Sequence, residues 1–260
     1  PEFREIRSQN QDFINLCLNS ELSSKITLQP IERFNLDSAI IFSDILMVPH
    51  ALNQKVEFLK NHGPKLEKFD LESFLKNDDL KFTEKLKPVY KAIEITRKKL
   101  NKEKSLISFI GAPWTLLVYM IGAKQNKNEI DLKIINKKRD EINLILEKLI
   151  NYLCVHIENQ VKAGADVVQI FDSWAGLIPQ EDLNNFCYLP NSKIVEFCKK
   201  KGIPVICFPR GIRENYKDFN NLVKPDGINI DYNVDPNWAK ENLKGTVIQG
   251  GLDPKILLLS

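Results

Sequence analysis

Gly164-Ala165-Asp166-Val167-Val168-Gln169-Ile170-Phe171-Asp172-Ser173-Trp174-Ala175-Gly176 is where a helical period gives way to a strand. Upstream, from about Lys138 to Ala163, residues Ile142, Ile145, Leu146, Leu149, Leu153, Ile157 and Val161 fall on one stripe, the spacing of an amphipathic helix. Gly164 stops that helix, and the compact run Val167–Phe171 follows at once, which makes the αβ half of a βαβ unit. Five other runs share this character: Ala39–Phe42, Leu106–Ile110, Pro204–Phe208, Gly227–Ile230 and Thr246–Gln249. None alternates cleanly with polar residues, as expected of strands buried on both faces of a parallel sheet. Leu183–Lys201 repeats the scheme. It ends in Lys199-Lys200-Lys201-Gly202 ahead of Ile203-Pro204-Val205, with basic residues complementing the helix dipole. Pro190 interrupts it, which leaves open one helix or two short ones.

The spacers Val48–Ser105 and Trp114–Asp166 are longer than one crossover helix requires, and Asn53–Thr83, rich in Lys, Asn and Asp, reads as an excursion over the surface. No low-complexity linker and no second core interrupts the chain, so a single domain over residues 1–260 is expected. With 43% hydrophobic and 27% charged residues the chain has the makings of a globular core. The net charge of +3 comes from 37 basic and 34 acidic residues in short mixed runs such as Lys137-Lys138-Arg139-Asp140-Glu141, which read as solvated helix faces and give no reason to expect a nucleic-acid partner. Cys17, Cys154, Cys187, Cys198 and Cys207 form no CxxC, and no His stands at ligand spacing from them, so no metal site is expected. An odd number of scattered thiols suggests a reducing, cytoplasmic setting. No apolar run approaches the ~20 residues of a membrane span, and no signal peptide is expected. The sequence starts at Pro1 and ends at Leu257-Leu258-Leu259-Ser260, in what reads as the opening of a helix, so both ends look like cuts.

A six-stranded doubly wound sheet would carry a glycine-rich loop after its first strand, but Ser43-Asp44-Ile45-Leu46-Met47-Val48-Pro49-His50 has no glycine. The pattern therefore favours an α/β fold of the (β/α)8 TIM-barrel kind, truncated to about six βα units. In such a barrel the chemistry sits at the C-terminal ends of the strands. Those ends read Ser43-Asp44, Gly111-Ala112-Pro113-Trp114-Thr115, Asp172-Ser173-Trp174-Ala175-Gly176, Pro209-Arg210-Gly211, Asp231-Tyr232 and Gly250-Gly251-Leu252-Asp253-Pro254. An aspartate after a strand is more often a cap or turn former than a catalyst. Asp44 stands apart because the apolar run Ile45-Leu46-Met47-Val48 follows it. A carboxylate in apolar surroundings must be paired, hydrogen-bonded or protonated, and a ligand offering several N–H donors or a cation would satisfy it.

Leu28-Gln29-Pro30-Ile31-Glu32-Arg33-Phe34, Ala39-Ile40-Ile41-Phe42-Ser43-Asp44-Ile45-Leu46 and Val48-Pro49-His50-Ala51-Leu52 resemble the uroporphyrinogen decarboxylase family. So do Gly111-Ala112-Pro113-Trp114-Thr115-Leu116 with Tyr119-Met120, Gly164-Ala165-Asp166 through Phe171-Asp172-Ser173-Trp174-Ala175-Gly176, and Gln249-Gly250-Gly251-Leu252-Asp253-Pro254. The resemblance runs in order along essentially the whole chain. It implies a carboxy-lyase that removes carbon dioxide from the four acetate side chains of uroporphyrinogen III without a cofactor, giving coproporphyrinogen III, and a homodimer. It implies that Asp44 faces the pyrrole N–H groups and stabilises positive charge developing on the ring. It further implies that Tyr119 and Ser173 hydrogen-bond or position substrate carboxylates, although each residue could equally pack or cap. Phe171 is a candidate to pack on the macrocycle or in the core. Arg210 is a separate inference: a guanidinium after a buried strand suits a substrate rich in carboxylates, with a surface role equally open.

The family's Arg-Gln-Ala-Gly-Arg-Tyr-Leu motif would lie ahead of Pro1, and its glycine-flanked histidine beyond Ser260. His50, His62 and His156 do not occupy that place, so the 260-residue polypeptide by itself is expected to be inactive. Two rivals stand beside this reading, a zinc-dependent methyltransferase on the same fold and a non-catalytic barrel fragment. The lack of any His-x-Cys argues against the first.

Overall fold

In the computed structural model, residues 2–59, 63–126 and 129–258 are described; His62 lies outside them, as do Leu259 and Ser260. Helices α1 (Glu2–Gln9), α2 (Phe13–Cys17) and α3 (Ser20–Phe34) lead into strand β1 (Ser38–Ile40), and a short helix α4 (Met47–Ala51) follows. His50 and Pro49 therefore lie in a helix and not in the loop expected from the sequence. The stretch read as a surface excursion holds the hairpin β2 (Val56–Leu59) and β3 (Gly63–Leu66), helix α5 (Leu71–Leu75) and the first turn of α6 (Asp79–Lys99). Its caps were in plain view: the Asp70 and Asp78 carboxylates accept the N–H groups of Ser73 and Lys81. Strand β4 (Ser105–Gly111), helix α7 (Pro113–Met120), the small hairpin β5 (Lys124–Asn126) and β6 (Glu129–Ile130), helix α8 (Leu132–Lys137) and the long helix α9 (Arg139–Lys162) come next. Then follow β7 (Val167–Asp172), α10 (Leu189–Lys200), β8 (Val205–Pro209), α11 (Tyr216–Val223), β9 (Gly227–Ile230), α12 (Pro236–Asn242) and β10 (Val247–Gly250). A 3-10 turn over Pro254–Leu258 stands where the sequence suggested a helix opening. The six expected strands all form, within one or two residues of their expected bounds. No helix among the described residues is long and apolar enough to cross a membrane.

The chain divides into two compact units, the first formed by residues 1–110, 119–123 and 151–168, the second by 111–118, 124–150 and 169–260. In the first, β1 lies parallel to β4, with Ala39 opposite Leu106, and the strand order is β1-β4-β7. Ile31, Ala39, Ile41, Ala92, Ile93, Leu100, Leu106 and Ala165 form its core between the strands and helices α3 and α6. Gly164 ends α9 at φ +114°, and a Cβ there would sit 2.8 Å from Cγ of Arg97. That close approach lets the Arg97 guanidinium reach Asp166 at 3.0 Å, while the same carboxylate accepts the Leu106 N–H at 2.7 Å.

In the second unit the order continues from β7 through β8 and β9 to β10, with β8–β9 and β9–β10 parallel. Asp226 accepts the Val205 N–H at 3.0 Å, the same device that Asp166 provides for β4. Flat, this order would set β7 and β10 about 14 Å apart. Yet Gln169 Nε2 of β7 donates to Gln249 Oε1 of β10 at 3.0 Å, so the sheet of this unit is curled with that face concave. The expectation of burial on both faces holds for β4, β7, β8 and β9. It fails at β1 and β10, the ends of the strand order, where Ile40, Val247 and Ile248 are exposed. The Pro190 interruption resolves into a π-turn over Asn184–Tyr188 that runs directly into α10, with Pro190 in its first turn, where a missing N–H is tolerated.

Candidate active site

Of the residues singled out from the sequence, Asp44 and Tyr119 belong to the first unit and Phe171, Ser173 and Arg210 to the second. Pairing of β1 ends with the Ile41 N–H on the Ile107 carbonyl, and the next N–H, of Phe42, is taken by Thr27 Oγ1 at 2.8 Å. The Phe42 ring packs against Phe3 and Phe13, with centroids 5.5 and 5.9 Å away. This fixes the chain two residues ahead of Asp44. The Asp44 side chain then turns onto its own backbone, Oδ1 accepting the Leu46 N–H at 2.8 Å, and Leu46, Met47 and Val48 behind it are buried. Leu46 supplies the single hydrogen bond to this carboxylate among the described residues. Burial pushes the Asp44 pKa up to about 6, with the Leu46 N–H pulling the other way. Burial, reinforced by the negative charge of Asp44, raises the Cys17 thiol to about 12, so that sulfur stays protonated and is no nucleophile.

Tyr119 lies on α7, the helix that Pro113 starts, and is the one residue of that helix not fully buried. Phe171 and Ser173 follow Gln169 at steps of two, so alternation puts them on its concave face. Both are half-buried. Phe208 meets Phe171 edge-on at 6.4 Å and so shares that face; Arg210, two residues on, is exposed. Neither the Ser173 hydroxyl nor the Arg210 guanidinium has a hydrogen-bond or ion-pair partner among the described residues. Their backbone, by contrast, is tightly held. The Arg210 N–H donates to the Asp172 carbonyl at 3.1 Å, and the Arg210 carbonyl accepts the Gly176 N–H at 2.9 Å. A Cβ at Gly176 would lie 2.5 Å from the Gly211 carbonyl oxygen, so these two loops close on each other only because both residues lack side chains.

The other two strand-end aspartates are tied up inside the protein. Asp231 accepts the Gly211 N–H at 2.7 Å and the Tyr216 hydroxyl at 2.9 Å. Asp172, fully buried on the far side of β7 from Ser173, accepts the Thr115 hydroxyl at 2.7 Å and the Asn191 amide at 3.2 Å. Burial raises its pKa to about 6, while Thr115, Asn191 and Cys187 hold it down by hydrogen bonding. In the sequence Thr115 and Asp172 fall in separate motifs 57 residues apart, and nothing local links them. Asn191 carried no signal at all. No group of three or more His, Cys, Asp or Glu among the described residues is arranged to hold a metal ion.

Among solved structures the fold resembles a methyltransferase from Methanosarcina mazei, with a TM-score of 0.66, 17% identity, and coverage of 95% of this chain and 84% of that one. It also resembles a B12-independent methionine synthase from Shewanella sp. W3-18-1 in complex with selenomethionine, at a TM-score of 0.57 and 9% identity over 89% of this chain and 69% of that one. At such identities the likeness is one of fold: α/β, with a parallel sheet. The uroporphyrinogen decarboxylase (URO-D) family model matches residues 1–260. The uroporphyrinogen decarboxylase of Orientia tsutsugamushi (strain Ikeda) is 40% identical over 266 residues, covering 99% of this chain and 76% of that relative. That of Rickettsia bellii is 38% identical, with 99% and 76% covered. Fold and relatives together define an α/β enzyme of the carboxy-lyase class. The chain belongs to the uroporphyrinogen decarboxylase family.

Proposed function

We propose that this chain carries the substrate site of an enzyme that removes carbon dioxide from the four acetate side chains of uroporphyrinogen III without a cofactor, giving coproporphyrinogen III. The observation that carries the reading is Asp44: a half-buried strand-end carboxylate whose pKa burial raises to about 6, with one backbone N–H as its hydrogen-bond partner among the described residues. Losing carbon dioxide leaves an electron pair that needs a sink. A protonated pyrrole ring supplies one, and a carboxylate facing the pyrrole N–H groups stabilises that cationic ring electrostatically. Asp44 takes this role. Tyr119 and the unpartnered Ser173 hydroxyl bind or position substrate carboxylates, Arg210 takes another, and Phe171 offers an apolar surface to the macrocycle. The six strands read as consecutive members of a (β/α)8 barrel forming one domain. The enzyme works as a cytoplasmic homodimer.

The test is turnover of uroporphyrinogen III by the protein expressed from its complete reading frame, with no added cofactor, alongside Asp44→Asn. Coproporphyrinogen III should accumulate, and kcat/KM should fall by roughly 100-fold or more in the variant, the order seen when one electrostatic stabiliser is removed. Undiminished turnover by Asp44→Asn would refute the assignment.

A further inference from the structure

The Ser173 hydroxyl gains nothing from its own contacts, yet the peptide units on both sides of it are immobilised from one point. Thr115 Oγ1 donates to Asp172 Oδ1 at 2.7 Å and accepts the Trp174 N–H at 3.2 Å, so a single buried hydroxyl bridges the residue before Ser173 and the residue after it. Around it the fixation is complete. Asn191 Nδ2 donates to the other carboxylate oxygen of Asp172 at 3.2 Å and to the Cys187 carbonyl at 2.8 Å. Trp114 Nε1 donates to the Trp174 carbonyl at 3.1 Å, and the Trp114 ring is stacked on Phe186 with centroids 5.0 Å apart. Thr115, Asp172 and Asn191 are each no more than 1% exposed. Held in this way by its neighbours, Ser173 has its Cα–Cβ direction fixed and the rotamers open to its hydroxyl narrowed by the backbone.

We infer that Thr115 and Asp172 are positioning residues, which act through Ser173 to aim its hydroxyl at a substrate carboxylate. The inference rests on the reading that Ser173 contacts substrate. It adds that the affinity Ser173 contributes is set by a buried clamp on the opposite face of the strand. Thr115 and Asp172 never touch the ligand. Their effect belongs in KM, with kcat left nearly unchanged, because a misdirected hydroxyl weakens binding in the ground state and transition state alike.

The experiment is steady-state kinetics on the protein from its complete reading frame, comparing Thr115→Val, Thr115→Ser, Ser173→Ala and the Thr115→Val/Ser173→Ala double variant. Thermal melts of each run in parallel. Ser173→Ala should raise KM about tenfold, the scale of one hydrogen bond to a charged group. Thr115→Val, isosteric but without the hydroxyl, should raise KM by a similar factor, and Thr115→Ser should restore it. The double variant should be no worse than either single one, since the second change removes nothing more. If Ser173→Ala leaves KM unchanged, the substrate-contact reading falls and this inference with it. If Ser173→Ala raises KM but Thr115→Val does not, or if the two effects multiply, the reading of Ser173 survives and the clamp is refuted. Should Thr115→Val fail to fold, Asn191→Ala, which removes the side-chain amide donor to Asp172, is judged by the same criteria.

Discussion

Three aspartates follow strands in this chain, and their surroundings give them three different fates. Asp172 and Asp231 are consumed by internal donors, while Asp44 has the Leu46 N–H as its one hydrogen-bond donor among the described residues, beside the buried Leu46, Met47 and Val48. The apolar run after Asp44 is local and so legible in the sequence, and in the structure Leu46, Met47 and Val48 are buried. Nothing local points to the partners of Asp172 or Asp231, which come from 57 and 15 residues away. Holding Asp44 ionised in such a place works against folding. Its folded pKa of about 6 lies above the ordinary carboxylate value, so the native state binds the proton more tightly. Stability therefore declines as pH rises from about 4 to 6, and the penalty is fully present above that. Asp44→Asn keeps an acceptor for the Leu46 N–H and discards the charge. It should melt at a higher temperature than the parent at pH 8, with the gap closing towards pH 4, even as activity is lost. A variant less stable than the parent at pH 8 would show that the carboxylate is favourably paired after all.

At the scale of elements, most of the sheet was legible, because buried parallel strands announce themselves as short apolar runs bounded by glycine and by helix ends. What escaped was built from polar sequence: the β2–β3 hairpin, whose outward residues alternate with inward ones, and the start of α6. The exposure of β10 also escaped, since a run such as Val247-Ile248 does not state whether a neighbour will cover it. His156 illustrates a helix feature with a measurable consequence. It lies on α9, nearly fully buried, with the Tyr90 hydroxyl of α6 at 3.0 Å from Nδ1 and the Phe82 ring edge-on. Burial depresses its pKa to about 3. A histidine kept neutral in the fold but free to charge when unfolded contributes stability that is lost as pH falls below about 6.5. Between pH 6.5 and 5 the loss from this residue is about 2 kcal/mol. Relative to the parent, His156→Gln should therefore lose less stability over that interval in denaturant unfolding. Parallel pH dependences in the two proteins would contradict this.

For the whole molecule, family membership rests on the match over residues 1–260 and on relatives near 40% identity, while the catalytic account rests on a handful of side chains. Composition alone was silent here, as a net charge of +3 gives no hint of a substrate with eight carboxylates. Under the proposed reading, recognition of such a ligand falls to individual side chains, Asp44 and Tyr119 in the first unit and Ser173 and Arg210 in the second. The central claim is that Asp44 receives the pyrrole N–H groups. It is tested most directly by a crystal structure of the protein from its complete reading frame with coproporphyrinogen bound. Pyrrole nitrogens should lie about 2.7–3.2 Å from the Asp44 carboxylate, hydrogen-bond distance for an N–H donor. A bound macrocycle whose nitrogens face elsewhere, with Asp44 still bonded only to Leu46, would contradict it.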